Sequence, residues 1–362
     1  MLLIIQQYFK SISLSIKWRP LNTLAIDRYM ELFGALLFGY IVFFIEITCA
    51  YLVYRMIFYG GPITHLFLAG YIIFMIIDRK ADRDCSRGQG SDWIRNMKIF
   101  KYTANYYPVK LIKTVNLSVD KNYLFAVFPH GVIGCGYYCS FVTNGTNFHQ
   151  LFPGIRSRQV SLSYHFFIPF FRELVLAWGA MSANYEGIKN ALGQSTDENF
   201  KLNVKDGYRS NAVVLSVGGA QEAMKSKPGE YRIYLKKRKG FIKAVLETGA
   251  SLVPVFSFGE VDVYDQIDGP KLRIFQTFMK RLTTIAPIIF VGRSFLPIGG
   301  IPYRKPINII VGAPIEVTKN PNPSQSDIDN LHDRYMVELE KLFEEHKWKY
   351  LKNAKDVNLI IE

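Results

Sequence analysis

The stretch Tyr123-Leu-Phe-Ala-Val-Phe-Pro-His-Gly131 decides how the chain is read. Its apolar run, 123–127 and on into Phe128, reads as a buried strand. A strand that ends in Pro129-His130-Gly131 presents an imidazole at a turn. Histidine titrates close to neutral pH, so His130 suits a general base. Taken alone, such a turn is more often a loop histidine bonded to backbone. The remainder of the chain alters that balance.

Outward from this strand, apolar runs recur at 212–217, 252–257, 288–291 and 307–312. Runs this continuous suit strands covered on both faces. Helical patterns separate them. Over 240–248, Phe241, Val245 and Leu246 share a face and Gly249 closes the helix. Ser324-x-x-Asp327 resembles a capping box, and Ile328, Leu331, Tyr335, Leu339 and Leu342 follow at helical spacing. The alternation predicts an α/β fold, a mostly parallel sheet flanked by helices. No repeat, low-complexity linker or second soluble domain is evident.

Upstream, residues 32–54 are apolar except for Glu46, and 56–77 carry no charge. Each run approaches the roughly 20 residues of a bilayer-spanning helix. Arg55 and then Gly60-Gly61-Pro62 separate them, which predicts an N-terminal transmembrane helical hairpin over 32–78. A basic segment, 1–31, precedes it and a cytosol-facing α/β domain, 79–362, follows. Lys10, Lys17, Arg19 and Arg28 on one flank, and Arg79, Lys80, Arg83 and Arg87 on the other, place both termini in the cytosol. A re-entrant hairpin fits the same pattern. Glu46 is expected to face the other helix or the membrane surface. The start, Met1-Leu-Leu-Ile-Ile5, is too short for a signal-peptide core.

The net charge of +14 suits nucleic acid, an anionic membrane or a polyanionic ligand. No nucleic-acid recognition module appears and the hairpin accounts for the charge, so no nucleic-acid partner is expected. Cys49, Cys85, Cys135 and Cys139 form no Cys-x-x-Cys pair, which argues against a zinc site and for a reducing compartment. The sequons at Asn116 and Asn144 are then chance matches.

Ligands of α/β sheets gather at the carboxyl ends of strands. His130 lies past one such end and Gly218-Gly219-Ala-Gln-Glu222 past another. Paired glycines let backbone amides approach a ligand. Glu222 is either a working carboxylate or an acid favoured by a helix start. Lys236-Lys237-Arg238-Lys239 stand where a helix start prefers anions, and a bound polyanion such as coenzyme A would resolve that conflict. A solvated basic face beside an anionic leaflet is the plainer alternative, more so for Lys236 and Lys237 than for Arg238 and Lys239. The chain has no Gly-x-Ser-x-Gly elbow and no phosphate loop, and Gly134-Cys-Gly136 lacks the third glycine of a dinucleotide fingerprint.

In order and spacing these blocks resemble the type-2 diacylglycerol acyltransferase family, which includes the monoacylglycerol acyltransferases and related wax-ester synthases. They are Phe128-Pro-His-Gly131, Phe152-Pro-Gly-Ile-Arg156, Phe171-Arg-Glu173, Val217-Gly-Gly-Ala-Gln-Glu222 and Arg238-Lys-Gly-Phe241. Leu252-Val-Pro-Val-Phe-Ser-Phe-Gly-Glu260, Gly292-Arg293, Lys305-Pro-Ile307 and Val311-Gly-x-Pro-Ile315 complete the set. The resemblance covers about two thirds of the chain or more. Animal and fungal members usually read His-Pro-His-Gly, and here Phe128 stands at the first histidine. Glycerolipid acyltransferases with a His-x4-Asp motif are similar in layout, but the region of Gly134-Cys-Gly136 holds no acid.

The resemblance implies an acyl-CoA-dependent O-acyltransferase that acts on diacylglycerol or monoacylglycerol in triacylglycerol synthesis. It implies a multi-pass protein of the endoplasmic reticulum membrane that extends to the lipid-droplet surface. Acyl-CoA is then a co-substrate, with no resident cofactor and no metal, and a homo-oligomer is compatible. His130 would be the base, supported by Glu222 or, as second choice, Glu173. Backbone amides at Gly131 or at Gly218-Gly219 would hold the oxyanion, and Arg238 and Lys239 the CoA phosphates. Fatty alcohol and lysophospholipid are the alternative acceptors. From another class, a non-catalytic lipid-binding protein would use the same hairpin.

Overall fold

The computed structural model describes residues 25–83, 90–193, 207–267, 269–283, 289–293 and 301–362. The strands, in chain order, are β1 (Lys110–Lys113), β2 (Tyr123–Phe128), β3 (Ile155–Ser161), β4 (Met181–Ser182), β5 (Ser210–Ser216), β6 (Arg232–Ile233), β7 (Ser251–Phe258), β8 (Asp265–Gln266), β9 (Phe290–Val291), β10 (Asn308–Val311) and β11 (Ile360–Ile361). The longer helices are α1 (Ala25–Phe43), α2 (Ile45–Tyr59), α3 (Pro62–Ile77), α4 (Lys98–Tyr106), α5 (Phe171–Ala177), α6 (Tyr185–Gly193), α7 (Gly219–Lys225), α8 (Gly240–Thr248), α9 (Pro270–Thr283) and α10 (Gln325–Tyr350).

Seven strands form one sheet in the order β1-β10-β7-β2-β5-β3-β4. Neighbours run parallel except β10 with β7. The predicted strand over 123–128 is the centre of this sheet, with Val127 beside Ser216 on one side and Val255 on the other. All six of its residues are buried, as an uninterrupted apolar strand requires. Alternation sends Leu124, Ala126 and Phe128 to a core covered by α8 and α10. Tyr123, Phe125 and Val127 face a second core, roofed by α4 and residues 135–142. Burying Phe128 alone contributes roughly 1.5–3 kcal/mol. Helix α10 opens on the expected capping box, in which the Asp327 N–H donates to Ser324 Oγ at 3.1 Å and the Ser324 N–H to Asp327 Oδ2 at 2.9 Å.

Two sheet elements differ from the sequence expectation. Of the run at 288–291, Ile288 lies outside the described residues, and the rest contributes β9, which pairs with β8 in a separate ribbon. Strand β3 has no continuous apolar run, because it buries Arg156, Arg158 and Gln159.

The N-terminal hairpin is shorter than 32–78. The first apolar run breaks at Phe44, where α1 and α2 meet at 62°. Helix α1 belongs to the α/β domain. Its Ala35 and Phe38 are buried in the second core, Phe38 stacks on Tyr138 at 4.2 Å, and Glu31 pairs with Arg304. Gly34 permits the close approach to α4, since a Cβ there would lie 2.6 Å from Thr103 Oγ1. Helix α2 continues through Arg55, and the turn falls at Gly60-Gly61 ahead of Pro62, the first residue of α3. Phe58, Ile63, Leu66 and Ile77 of this pair are 68–85 % exposed. Among the described residues no single helix is long and apolar enough to cross a membrane, while the bent pair α1–α2 passes on length and composition.

Candidate active site

Three candidate segments leave the carboxyl ends of adjacent strands: His130 after β2, Gly218-Gly219 after β5, and Gly259-Glu260 after β7. The centre of the site is the His130 turn. His130 Nδ1 lies 3.1 Å from the carbonyl oxygen of Gly131. A carbonyl can only accept, so this contact assigns the proton to Nδ1 and leaves a lone pair on Nε2. The ring is half-buried by surface area, yet its neighbours desolvate it, which lowers its pKa from the ordinary histidine value; the Gly131 carbonyl opposes in part. The imidazole is therefore neutral near pH 7, the form a base requires.

Glu222 holds this turn by its backbone. The His130 N–H donates to Glu222 Oε2 and the Tyr234 N–H to Glu222 Oε1, both at 2.8 Å. Burial pushes the Glu222 carboxyl up to about 7, against those two bonds and the Arg238 charge. The paired glycines have a local reason. A Cβ at Gly218 would lie 1.8 Å from the Glu222 carboxyl carbon, and Gly219 has φ +53°. Gly218 thus makes room for Glu222 to fold back over the start of α7.

A second carboxylate closes the turn from the other side. Glu260 accepts from the Gly136 N–H at 2.9 Å and from Ser257 Oγ at 3.1 Å. Burial raises it also to about 7. Gly131, at φ +65°, packs on it so closely that a Cβ would lie 2.8 Å from Glu260 Cγ. In space, the turn after β7 thus sets a carboxyl beside the Gly134-Cys-Gly136 region, which has no acid of its own in sequence.

The diacylglycerol acyltransferase family profile matches residues 56–362. Bovine 2-acylglycerol O-acyltransferase 1 is 40% identical over 268 residues, 73% of this chain and 76% of its own. Diacylglycerol O-acyltransferase 2 of Dictyostelium discoideum is 38% identical over 283 residues, 76% of this chain and 81% of its own. The chain belongs to the diacylglycerol acyltransferase family. It is an acyltransferase, as the relatives' names have it. Among solved structures, the 1-acyl-sn-glycerophosphate acyltransferase PlsC of Thermotoga maritima aligns at TM-score 0.38 and 11% identity over 91% of this chain and 97% of its own, too loosely to bear on the site.

The family blocks fall into two spatial groups. His130, Gly131, Gly218, Gly219, Glu222 and Glu260 surround the His130 turn. Glu222, expected to support His130, reaches it through the main chain rather than the ring. Glu173 lies at the root of the hairpin instead. Its Oε1 accepts from Arg172 Nη1 at 2.8 Å and from Tyr71 OH at 3.4 Å, and Arg172 also grips Asp78 at 2.9 Å. Glu46 has a similar post: His165 Nε2 and Tyr164 OH lie 3.1 and 3.2 Å from it, so it faces the α/β domain rather than the other helix. Of the basic cluster, Arg238 is exposed, over the Tyr234 ring at 5.9 Å, while Lys239 pairs with Asp329 at 2.6 Å.

Glu260 is the site residue that residue-level reading of the sequence missed. The signal was available: it ends an apolar strand behind Gly259, as His130 and Glu222 follow theirs.

Proposed function

We propose that His130 is the general base for acyl transfer from acyl-CoA to the free hydroxyl of a neutral glycerolipid, diacylglycerol or monoacylglycerol, in triacylglycerol synthesis. The contact between His130 Nδ1 and the Gly131 carbonyl carries this reading, since it frees Nε2 to take a proton. Nε2 removes the hydroxyl proton as the alcohol oxygen attacks the thioester carbonyl. The tetrahedral intermediate collapses, the C–S bond breaks, and the imidazolium returns the proton to the CoA thiolate. The Gly131 amide is the oxyanion donor in this scheme. Arg238, exposed beside Tyr234 and Glu222, takes a CoA phosphate; Lys239 would first have to exchange Asp329.

The reaction is set at the endoplasmic reticulum membrane and the lipid-droplet surface. Helices α2 and α3, of 15 and 16 residues, are about 23 Å long, short of the roughly 30 Å hydrocarbon core. That length favours a re-entrant hairpin that enters the bilayer without crossing it. The test is radiolabelled acyl-CoA with microsomes and a panel of monoacylglycerol, diacylglycerol, fatty alcohol and lysophospholipid. Label in triacylglycerol or diacylglycerol supports the reading; label in none of the products contradicts it.

A further inference from the structure

The sheet face that looks toward residues 135–142 ends in polar side chains that the roles above leave unused. Gln159 on β3 is buried, and neither its Nε2 nor its Oε1 has a hydrogen-bond partner among the described residues; Ser216 Oγ on β5 is in the same condition. Gln159 stands beside Val214, one strand repeat before Ser216, and Ser216 stands beside Val127. The two polar groups are therefore diagonal neighbours on one face, level with Phe125 and Val127, which precede His130 on β2. The β3–β5 pairing ends at Gln159 and Val214, and Ser161 lies two residues further along β3. Ser161 Oγ lies 2.7 Å from His165 Nδ1, and His165 reaches Glu46 at the start of α2. Ser161, His165 and Glu46 thus link the end of β3, two residues past Gln159, to the root of the hairpin.

A buried polar group left unpaired costs about 1–3 kcal/mol, so such groups call for a partner. Gln159 offers one donor nitrogen and one acceptor oxygen, and Ser216 a hydroxyl able to do either. That set matches a hydroxyl next to an ester carbonyl. It does not match a phosphate: Arg156 and Arg158 alternate to the opposite face, and Arg95, which does reach this one, spends Nη1 and Nη2 on the Ser157 and Phe141 carbonyls. We infer that Gln159 and Ser216 bind the glycerol-ester head of the acceptor, which enters from the root of the hairpin. The inference rests on the reading of His130 as the base of a glycerolipid acyltransferase.

The test uses the full chain in microsomes with oleoyl-CoA and dioleoylglycerol. Gln159→Met and Ser216→Ala are each expected to raise the dioleoylglycerol KM about tenfold and to leave the oleoyl-CoA KM within about twofold. An unchanged acceptor KM overturns the inference. So does a parallel loss in both substrates together with a lowered Tm, which marks a packing role. Should Gln159→Met fail to accumulate, Ser216→Ala, which removes one oxygen, carries the same decision. A wild-type enzyme that acylates no acceptor brings down the proposed function and this subsite together; normal wild-type turnover with unaltered variants brings down the subsite alone.

Discussion

The Glu222 carboxylate bridges the backbone N–H groups of His130 and Tyr234 and does not touch the imidazole. Its task is to position the turn, which leaves the tautomer of His130 to the Gly131 carbonyl. Glu222→Gln keeps the shape but sets an NH2 group against one of the two N–H donors. The loss is about 1–3 kcal/mol of stability, with a fall in turnover of about tenfold or more. Thermal unfolding and acyl transfer measured on the same preparation check both. Unchanged stability and rate would show that the bridge is idle.

Glu260 and Glu222 give the fold a pH dependence of unusual sign. Both carboxyls rise to about 7 from an ordinary 4.5. Between those values the folded chain keeps protons that the unfolded chain has lost, so stability is greatest below about pH 4.5 in this term and falls as pH rises to about 7. The fall is roughly 3 kcal/mol for each group. In Glu260→Gln the amide oxygen can take the place of Oε2 and accept from both Gly136 and Ser257, and the variant removes one group's share. Its Tm should decline less than that of the wild type between about pH 5 and 8. An equal decline in both proteins contradicts the assignment.

The sequence leaves Phe128 open between packing and acceptor choice, and the structure favours packing. Its ring lies wholly within the core under α8 and α10. Phe128→His would bury an imidazole there at a cost of roughly 2–4 kcal/mol. Expression and Tm should drop while the ratio of acceptor preferences stays constant. A changed acceptor ratio at unchanged stability would return Phe128 to the active site.

At the hairpin root, Arg172 joins Asp78 of the hairpin end to Glu173 of α5. Removing the buried guanidinium strands two carboxylates. Arg172→Ala should therefore loosen the hairpin, read as faster protease cleavage near Asp78, and cut turnover with membrane-borne acceptor about tenfold. Glu173→Gln keeps an acceptor for Arg172 and should retain about a third of the activity or more. A loss as deep as that of a catalytic substitution would reinstate Glu173 as the acid beside His130.

How much could be read beforehand follows from where side chains declare their surroundings. Strand β2, helix α8 with Gly249 and the Ser324–Asp327 cap were legible because apolar period and capping chemistry are local. Strand β3 was not, since buried Arg156 and Arg158 break the apolar pattern that marks a core strand. The break at Phe44 was hidden for a related reason. Residues 32–43 are as apolar as a membrane helix, and only the fit of Gly34, Ala35 and Phe38 against α4 and Tyr138 assigns them to the domain. His130, Glu222 and their glycines were found from strand ends, but the main-chain character of their link is a tertiary fact. Glu260 carries the same strand-end signal, and the sheet order, which sets β7 beside β2, adds which turn it meets.

The central claim is that His130 Nε2 takes the proton of the acceptor hydroxyl. The most direct measurement is transfer of label from acyl-CoA to diacylglycerol by His130→Ala in microsomes, with protein level and Tm matched to the wild type. Loss of general-base catalysis predicts a fall of about 100- to 10,000-fold in kcat, with little change in the acyl-CoA KM. Turnover within about threefold of the wild type would contradict the account, since a base contributes far more than that.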